Sequence, residues 1–333
     1  MKYPNKLMKN DTIGVTATSM GIVKKGDIKR FEQAKNNLEK MNYKVKNTSN
    51  VFTNSKFVSS SGVVRAKEFL NLWCDKNIKV ISQVRGGELL LEMLPYLDDN
   101  LINNSNPKWI FGYSDSSLLN FYITTKFDIA TINSTNFLDF KMPSFHKSLI
   151  SIFDCFNEDV IIQKSFSKYQ KVKKNTLNYN LDSNVKYKHL YNLKNDVIKG
   201  RVIGGCLEAI TEILGTNFDY VYEFTKKYNE GILWYLDIYN SNPLDLYRIL
   251  LRMKWANWFN NINGIIIGRT KSLKKIKDLT YKDVLHKVFD SMNISVIYDV
   301  DIGHIKPQFS VINGSLGTFT YNNGKGIFKQ EKK

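Results

Sequence analysis

Ser114 lies in a segment whose pattern is typical of a catalytic serine. The strand predicted for Trp109–Gly112 runs directly into a helix predicted for Ser116–Thr125, and Ser114 stands at the turn between them. Such a turn exposes a hydroxyl above the carboxyl edge of a parallel sheet, and the helix amides can stabilise an oxyanion. The segment lacks the second glycine of the usual nucleophile turn, so a role of Ser114 as a simple helix cap is the alternative.

A glycine-rich turn, Arg85-Gly86-Gly87-Glu88, follows the strand predicted for Val80–Val84. Two glycines allow the backbone to approach a ligand closely and leave N–H groups free to donate. One of these amides could complete an oxyanion hole. The alternative is a tight turn in which glycine is needed for a positive φ.

His304 is the candidate general base among the four histidines of the chain. It follows the strand predicted for Ser295–Tyr298 and comes directly after Gly303. A histidine at a strand end can take a proton from a serine. The other three have polar neighbours that include lysine and are predicted to lie on the surface: His146, His189 and His286.

Asp237 is the candidate for the acid that orients such a histidine. It ends the apolar strand predicted for Gly231–Leu236, where that strand meets polar loop residues. An acid at this place either stabilises a charged imidazole or caps the helix that begins near Pro243. Three other acids remain as alternatives: Glu208, Asp299 and Asp301.

The elements that must position these residues indicate two domains. The chain has 333 residues, of which 43% are hydrophobic, and this is more than one core usually organises. Strand and helix patterns alternate in the first half, which predicts a parallel sheet covered by helices. We predict an N-terminal α/β domain at residues 1–155, a linker with peripheral strands at 156–196, and a C-terminal α/β domain at 197–333.

Charge and cysteine content exclude several classes. The net charge of +17 comes from scattered lysines, without the motifs of a nucleic-acid-binding domain, so no nucleic-acid partner is expected. Neither Gly-x-Gly-x-x-Gly nor a P-loop follows a strand, which disfavours a nucleotide-binding α/β protein. Three separated cysteines indicate neither a disulfide framework nor a zinc site: Cys74, Cys155 and Cys206.

The N-terminal segment is polar up to Asp11 and lacks the apolar core of a signal peptide. No run of 18 apolar residues occurs in the sequence, so no transmembrane helix is expected. We therefore predict a cytoplasmic protein without membrane contact.

Together these segments resemble the serine LD-carboxypeptidase family (peptidase family S66), which includes the microcin C immunity peptidases. The resemblance extends over about residues 11–320 and rests on the order and spacing of several motifs rather than on one of them. The motifs are Val84-Arg85-Gly86-Gly87, Phe111-Gly112-Tyr113-Ser114-Asp115, Gly204-Gly205-Cys206-Leu207, Trp234-Tyr235-Leu236-Asp237 and Asp301-Ile302-Gly303-His304.

The resemblance implies a flavodoxin-like N-terminal parallel-sheet domain, a smaller C-terminal α/β domain and a homodimer. The positions that match the family's catalytic triad are Ser114, Asp237 and His304. The oxyanion donors carried over are the backbone amides of Gly87 and Asp115. No metal and no organic cofactor is implied. One departure is that the family's acid is usually Glu, which is longer than Asp237 by one methylene.

The activity implied by the resemblance is hydrolysis of an amide bond in a small peptide. The general family substrate is the L,D-bond near the end of a muropeptide, and we expect this LD-carboxypeptidase activity first. The alternative is an immunity peptidase that cleaves peptidyl or aminoacyl nucleotides. Because of the shorter acid, a degenerate homologue without catalysis is a further alternative.

Overall fold

The computed structural model describes residues 1–172, 177–271 and 274–333. Four residues of the predicted linker, 173–176, lie outside the described ones. Strands and helices alternate in the first half of the chain, in the order that the sequence pattern predicts. The elements are β1 (Thr12–Thr16), α1 (Lys25–Lys40), β2 (Lys44–Asn47), α2 (Gly62–Cys74), β3 (Ile78–Gln83), α3 (Asp99–Asn104), β4 (Trp109–Gly112), α4 (Ser116–Phe127), β5 (Thr131–Asn133) and α5 (Lys147–Asn157).

The second half of the chain is richer in strands. Its elements are β6 (Val160–Lys164), β7 (Lys168–Tyr169), β8 (Ser183–Asn184), β9 (Lys188–His189), β10 (Asn195–Cys206), α6 (Leu207–Ile210), α7 (Val221–Lys227), β11 (Ile232–Asp237), α8 (Pro243–Trp255), β12 (Ile262–Gly268), α9 (Tyr281–Phe289), β13 (Ser295–Val300), β14 (Val311–Asn313), β15 (Leu316–Asn322) and β16 (Lys325–Glu331).

The sequence pattern also predicts a helix at Leu89–Leu97 and another that runs to Leu214, and both differ from the observed elements. The helix predicted for Leu89–Leu97 is a 3₁₀ helix, Leu90–Tyr96. It contains Pro95, which has no N–H to donate and interrupts an α-helical ladder. The helix predicted to continue from Leu207 to Leu214 is the single turn α6 followed by a 3₁₀ turn, Thr211–Ile213.

The first sheet combines both parts of the chain. Among the described residues its strands have the order β14-β5-β4-β3-β1-β2, and β1 to β5 pair in parallel. The strand β14 comes from near the C-terminus and pairs antiparallel with β5, with Val311 opposite Asn133. The two parts of the chain are therefore interlocked, and the domain boundaries given above stay a prediction.

The second sheet is mixed. Its described strands have the order β6-β16-β15-β10-β11-β12-β13-β9, of which β10 to β13 are parallel. The strands β6 and β9, from the segment predicted as a linker, form its two edges. The predicted α/β class, with a parallel sheet in the N-terminal region and a second α/β region, is confirmed.

The helix α4 lies between the two sheets. Every residue from Ser116 to Thr125 is buried, and the helix contacts β4 and β5 on one side and β10 on the other. Phe121 packs against the rings of Trp234 and Trp258, with centroids 6.0 and 5.4 Å apart. A helix covered on all sides shows no apolar stripe, because none of its faces meets water. Its N-terminus is therefore held firmly at the junction of the sheets.

No helix in the described part of the chain combines the length and the apolar character needed to cross a membrane.

Candidate active site

Ser114 occupies a strained turn between β4 and α4. Its φ is 66°, in the left-handed region that costs a residue with a Cβ about 1–3 kcal/mol. Ser117 holds this turn, because its backbone N–H and its hydroxyl both donate to the Ser114 carbonyl, at 2.9 and 2.6 Å. Gly112 allows the tight return of the chain, since a Cβ there would lie 2.8 Å from the Cβ of Ser116.

The Ser114 hydroxyl makes no hydrogen bond to any residue that the structure describes. The N-cap position of α4 is Asp115, and no side chain caps the helix there. The alternative role of Ser114 as a helix cap is therefore wrong. The strained backbone instead directs a hydroxyl without a partner into a cleft of about 490 Å³.

The Gly86-Gly87 turn packs directly against this serine. A Cβ on Gly86 would lie 2.8 Å from the Ser114 Cβ, and a Cβ on Gly87 would lie 2.1 Å from the Ser19 hydroxyl. Neither glycine has a positive φ, so the alternative of a turn that requires one is wrong. Within the described ranges, neither the Gly87 N–H nor the Asp115 N–H has a hydrogen-bond partner. Both remain available to an oxyanion.

The Asp115 side chain ties the surrounding turns together. It is buried, and its Oδ2 accepts the Ser19 hydroxyl and the Leu90 N–H, the latter at 3.0 Å. Burial raises the pKa of the Asp115 carboxyl. The buried Arg65 donates to the carbonyls of Thr18 and Leu89, at 2.9 and 2.8 Å. These contacts fix the loops that bring Gly87 and Ser114 together.

Asp237 and His304 are in contact on the other side of the cleft. Asp237 ends β11 and is fully buried, and its Oδ2 lies 2.7 Å from Nδ1 of His304. Its Oδ1 accepts the backbone N–H of His304 at 3.3 Å. The Nδ1–Oδ2 contact is close enough for an ion pair but lacks the alignment of a hydrogen bond. The two residues named from the sequence as acid and base are therefore neighbours, and their catalytic roles stay a prediction.

Gly303 makes the approach of His304 to this short acid possible. Its φ is 90°, and a Cβ there would lie only 1.9 Å from the Asp237 Oδ1. The loop that carries His304 thus closes onto Asp237 to a distance that another residue would prevent. The imidazole lies between two tyrosine rings, Tyr113 and Tyr239, with centroids 5.1 and 4.4 Å away. His304 and Ser114 line the same cleft.

Two of the alternative acids have other roles. Asp301 is buried in an ion pair with Arg269, and it also accepts the hydroxyl of Tyr187. Asp299 pairs with Lys188, with 2.9 Å between Oδ2 and Nζ. Neither contacts His304 through its carboxylate.

Glu208, the third alternative acid, anchors the loop that follows Asp237. Its carboxylate accepts the backbone N–H groups of Tyr239, Asn240 and Ser241, at 2.9 to 3.2 Å, and the Ser241 hydroxyl at 2.6 Å. This role was missed from the sequence. Three consecutive residues in the loop after β11 gave no signal that a distant carboxylate binds them.

The surface prediction for the remaining histidines fails at one position. His189 is buried, and its Nε2 lies 2.9 Å from the Asp196 carboxylate. His146 and His286 are partly exposed. The local lysines do not reveal that β9 pairs with β13, where His189 stands opposite Ile297.

Charged side chains of both signs surround Ser114. The cleft is lined by five basic residues and three acidic ones: Arg30, Arg85, Lys141, Arg269, Lys271, Asp27, Glu88 and Asp139. A smaller recess on the other side of Ser114 is lined by acids: Glu88, Asp115, Glu208 and Glu212. Burial and the charges of Asp115 and Glu88 raise the pKa of Glu212 to about 7, although this side chain still reaches solvent.

The fold and the site define an α/β protein with the residues of a serine hydrolase at the junction of two sheets. Family models match most of the chain: LD-carboxypeptidase N-terminal domain at residues 13–134 and LD-carboxypeptidase C-terminal domain at residues 199–319. The chain belongs to the LD-carboxypeptidase family, peptidase family S66, and the resemblance seen in its sequence is confirmed.

Individual relatives include both branches of this family. The chain is 27% identical over 276 residues to the microcin C7 self-immunity protein MccF of Escherichia coli, covering 78% of this chain and 76% of MccF. It is 26% identical over 311 residues to YocD of Bacillus subtilis, a proposed carboxypeptidase, covering 92% of each chain.

Solved structures share the fold over nearly the full length. An MccF-like protein of Bacillus anthracis has a TM-score of 0.83 at 22% identity, covering 99% of each chain. The microcin C7 self-immunity protein MccF in complex with aspartyl sulfamoyl adenosine has a TM-score of 0.83 at 21% identity, covering 100% of this chain and 99% of that one. At these identities the structures establish the fold.

Proposed function

We propose that this protein is a serine peptidase that hydrolyses an amide bond of a small peptide, with Ser114 as nucleophile, His304 as general base and Asp237 as the orienting acid. The observation that carries the proposal is the 2.7 Å contact between Asp237 and His304 in the cleft that the unpartnered Ser114 hydroxyl also lines. The candidate nucleophile, base and acid come from three separate segments of the chain. Packing alone gives no evident reason for these three residues to lie at one site.

In the proposed reaction His304 takes the proton of Ser114 as the hydroxyl oxygen attacks the amide carbonyl. The negative oxygen of the tetrahedral intermediate is stabilised by the N–H groups of Gly87 and Asp115, which are otherwise without partners. The protonated His304 then gives its proton to the leaving amine. Water, activated by the same imidazole, releases the acyl group and restores the serine.

The shorter acid is compatible with this mechanism. Asp237 lacks one methylene relative to the usual glutamate, and the loop at Gly303 has closed the distance. Full burial of the carboxylate keeps its charge poorly screened, so it can stabilise the imidazolium that forms during attack. These contacts support a working triad over a degenerate homologue.

The substrate that we propose first is a peptide with a free terminal carboxylate, cleaved at its L,D-bond as in the muropeptide reaction of the family. A carboxypeptidase needs a fixed cation near the nucleophile, and Arg85 comes directly before the Gly86-Gly87 turn. A second candidate is an aminoacyl nucleotide, favoured by the likeness to MccF and by the tyrosines Tyr113 and Tyr239 at the cleft, which can stack on a base. The homodimer stays a prediction.

The test uses purified wild type and the Ser114→Ala variant. A fluorophosphonate probe should label wild type at Ser114 and leave the variant unlabelled, because only an activated serine reacts. Release of D-alanine from a muropeptide tetrapeptide and cleavage of an aminoacyl sulfamoyl adenosine are then measured side by side. A folded wild type that is neither labelled nor active on either substrate contradicts the proposal.

A further inference from the structure

Cys206 lies beside the proposed acid because of the register between two strands. It is the last residue of β10, and it is paired with Asp237, the last residue of β11. Residues opposite each other on neighbouring strands project to the same face of the sheet. A thiol and a carboxylate therefore stand next to each other at this edge, and His304 reaches the same place from the loop after β13.

These three side chains bring one sulfur, one oxygen and one nitrogen close together, and each of these atoms can ligate a metal ion. The Cys206 Sγ, a carboxylate oxygen of Asp237 and a ring nitrogen of His304 all lie within 4.8 Å of one another. Zn²⁺ binds these ligand types at about 2.0–2.3 Å, which places tetrahedral ligand atoms roughly 3–4 Å apart. To surround one ion, the Oδ2–Nδ1 contact of 2.7 Å must lengthen slightly and the sulfur must keep or approach the same spacing from both atoms.

Two of the donor atoms are buried without an aligned partner. The Oδ2 of Asp237, in a fully buried side chain, and the Nδ1 of His304 have no hydrogen bond of good geometry to any described residue. The two atoms face each other across the poorly aligned 2.7 Å contact, so a cation that both can ligate would remove the cost of their poor hydrogen bonding. Cys206 is also buried, and its thiol donates a hydrogen bond to the Glu208 Oε2 at 3.5 Å.

We propose that Cys206, Asp237 and His304 form a binding site for a thiophilic divalent cation such as Zn²⁺, and that the bound cation inhibits the peptidase. The inhibitory part rests on the function proposed above. The ion takes the imidazole lone pair and the carboxylate charge, which the attack by Ser114 requires. The thiol proton is released to solvent on binding.

Binding is measured without substrate, on protein freed of metal by a chelator. Wild type is titrated with Zn²⁺ against a chromophoric chelator, and with Co²⁺ to follow the charge-transfer absorption of a Co²⁺–thiolate bond. The test variant is Cys206→Ser, which keeps the size of the side chain. The matched control is Cys74→Ser, which removes an exposed thiol far from the site.

Wild type and Cys74→Ser should bind one equivalent of Zn²⁺ and show the Co²⁺–thiolate band. Cys206→Ser should lose the band and bind Zn²⁺ at least about tenfold more weakly, since it lacks a ligand. Equal Zn²⁺ affinity of wild type and Cys206→Ser, or no band in wild type, overturns the proposal. If Cys206→Ser does not fold, His304→Ala, changed at a partly exposed side chain, gives the same comparison.

The activity arm separates this inference from the proposed function. Zn²⁺ should inhibit the wild-type peptidase, and Cys206→Ser should require at least about ten times more Zn²⁺ for the same fractional inhibition. A protein that binds Zn²⁺ through Cys206 but cleaves neither substrate supports the metal site and contradicts the peptidase. A protein that is active but insensitive to bound Zn²⁺ overturns the inhibitory role.

Discussion

The two sides of the candidate site are held in place by different means. On the first side, the backbone fixes Ser114, because β4 and the fully buried α4 leave no freedom at the strained turn. On the second side, side-chain contacts between loops fix Asp237 and His304, and these depend on Gly303 and Glu208. The position of Ser114, the proposed nucleophile, is therefore set by the fold, while the proposed acid–base pair depends on a few neighbouring residues.

The largest expected effect is at the acid itself. Asp237→Asn should lower kcat by about 10⁴-fold, since the amide cannot stabilise the imidazolium and favours the wrong tautomer. Steady-state kinetics measure the fall in kcat, and fluorophosphonate labelling measures the reactivity of Ser114. Asp237→Glu should not restore the family's usual rate, because the loop at Gly303 has closed onto the shorter acid. An active glutamate variant would show instead that the loop at Gly303 moves to accommodate the longer acid.

Gly303→Ala tests whether the closed loop is essential. The new Cβ would lie 1.9 Å from the Asp237 Oδ1, so His304 must move away and kcat should fall by about 10²-fold. The matched control is Gly215→Ala, at a φ of 76° but with open space around the Cβ. Both variants should lose about 1 kcal/mol of stability from the positive φ, measured by urea unfolding. Equal activity of the two variants would show that the approach to Asp237 is unimportant.

The sequence could predict features that depend on local patterns, but not those that depend on contacts between distant segments. The βα turn at Ser114 and the glycines at 86–87 are local patterns, and alternating strands and helices predict the parallel sheet that carries them. The pairing of Cys206 with Asp237 and the binding of Ser241 by Glu208 join segments about 30 residues apart, and no local pattern encodes that register. The return of β14 to the first sheet was missed for the same reason, because its partner β5 lies about 180 residues earlier.

Glu208→Gln tests the anchor of the loop after Asp237. The amide keeps one acceptor oxygen but loses the second, which accepts the Tyr239 N–H at 3.1 Å, so a loss of about tenfold in kcat with little change in KM is expected. A positioning role also predicts a changed pH profile of kcat, because the Asp237–His304 contact loosens. The exposed Glu223→Gln is the control, and identical profiles for both variants would leave Glu208 a merely structural residue.

The smallest effect is expected at Arg85, one of the basic residues that line the cleft. This side chain fixes neither Ser114 nor the Asp237–His304 pair. Arg85→Ala should raise KM several-fold for a substrate with a terminal carboxylate and leave kcat nearly unchanged, since the charge acts on binding rather than on attack. Arg30→Ala is the matched control, because Arg30 and Arg85 pair with the same Asp27 carboxylate, at 3.0 and 3.6 Å. An amidated substrate should abolish the difference between wild type and Arg85→Ala. If KM rises equally in both variants, the basic side chains of the cleft act only through their combined charge. Arg85 then has no specific role in binding the carboxylate.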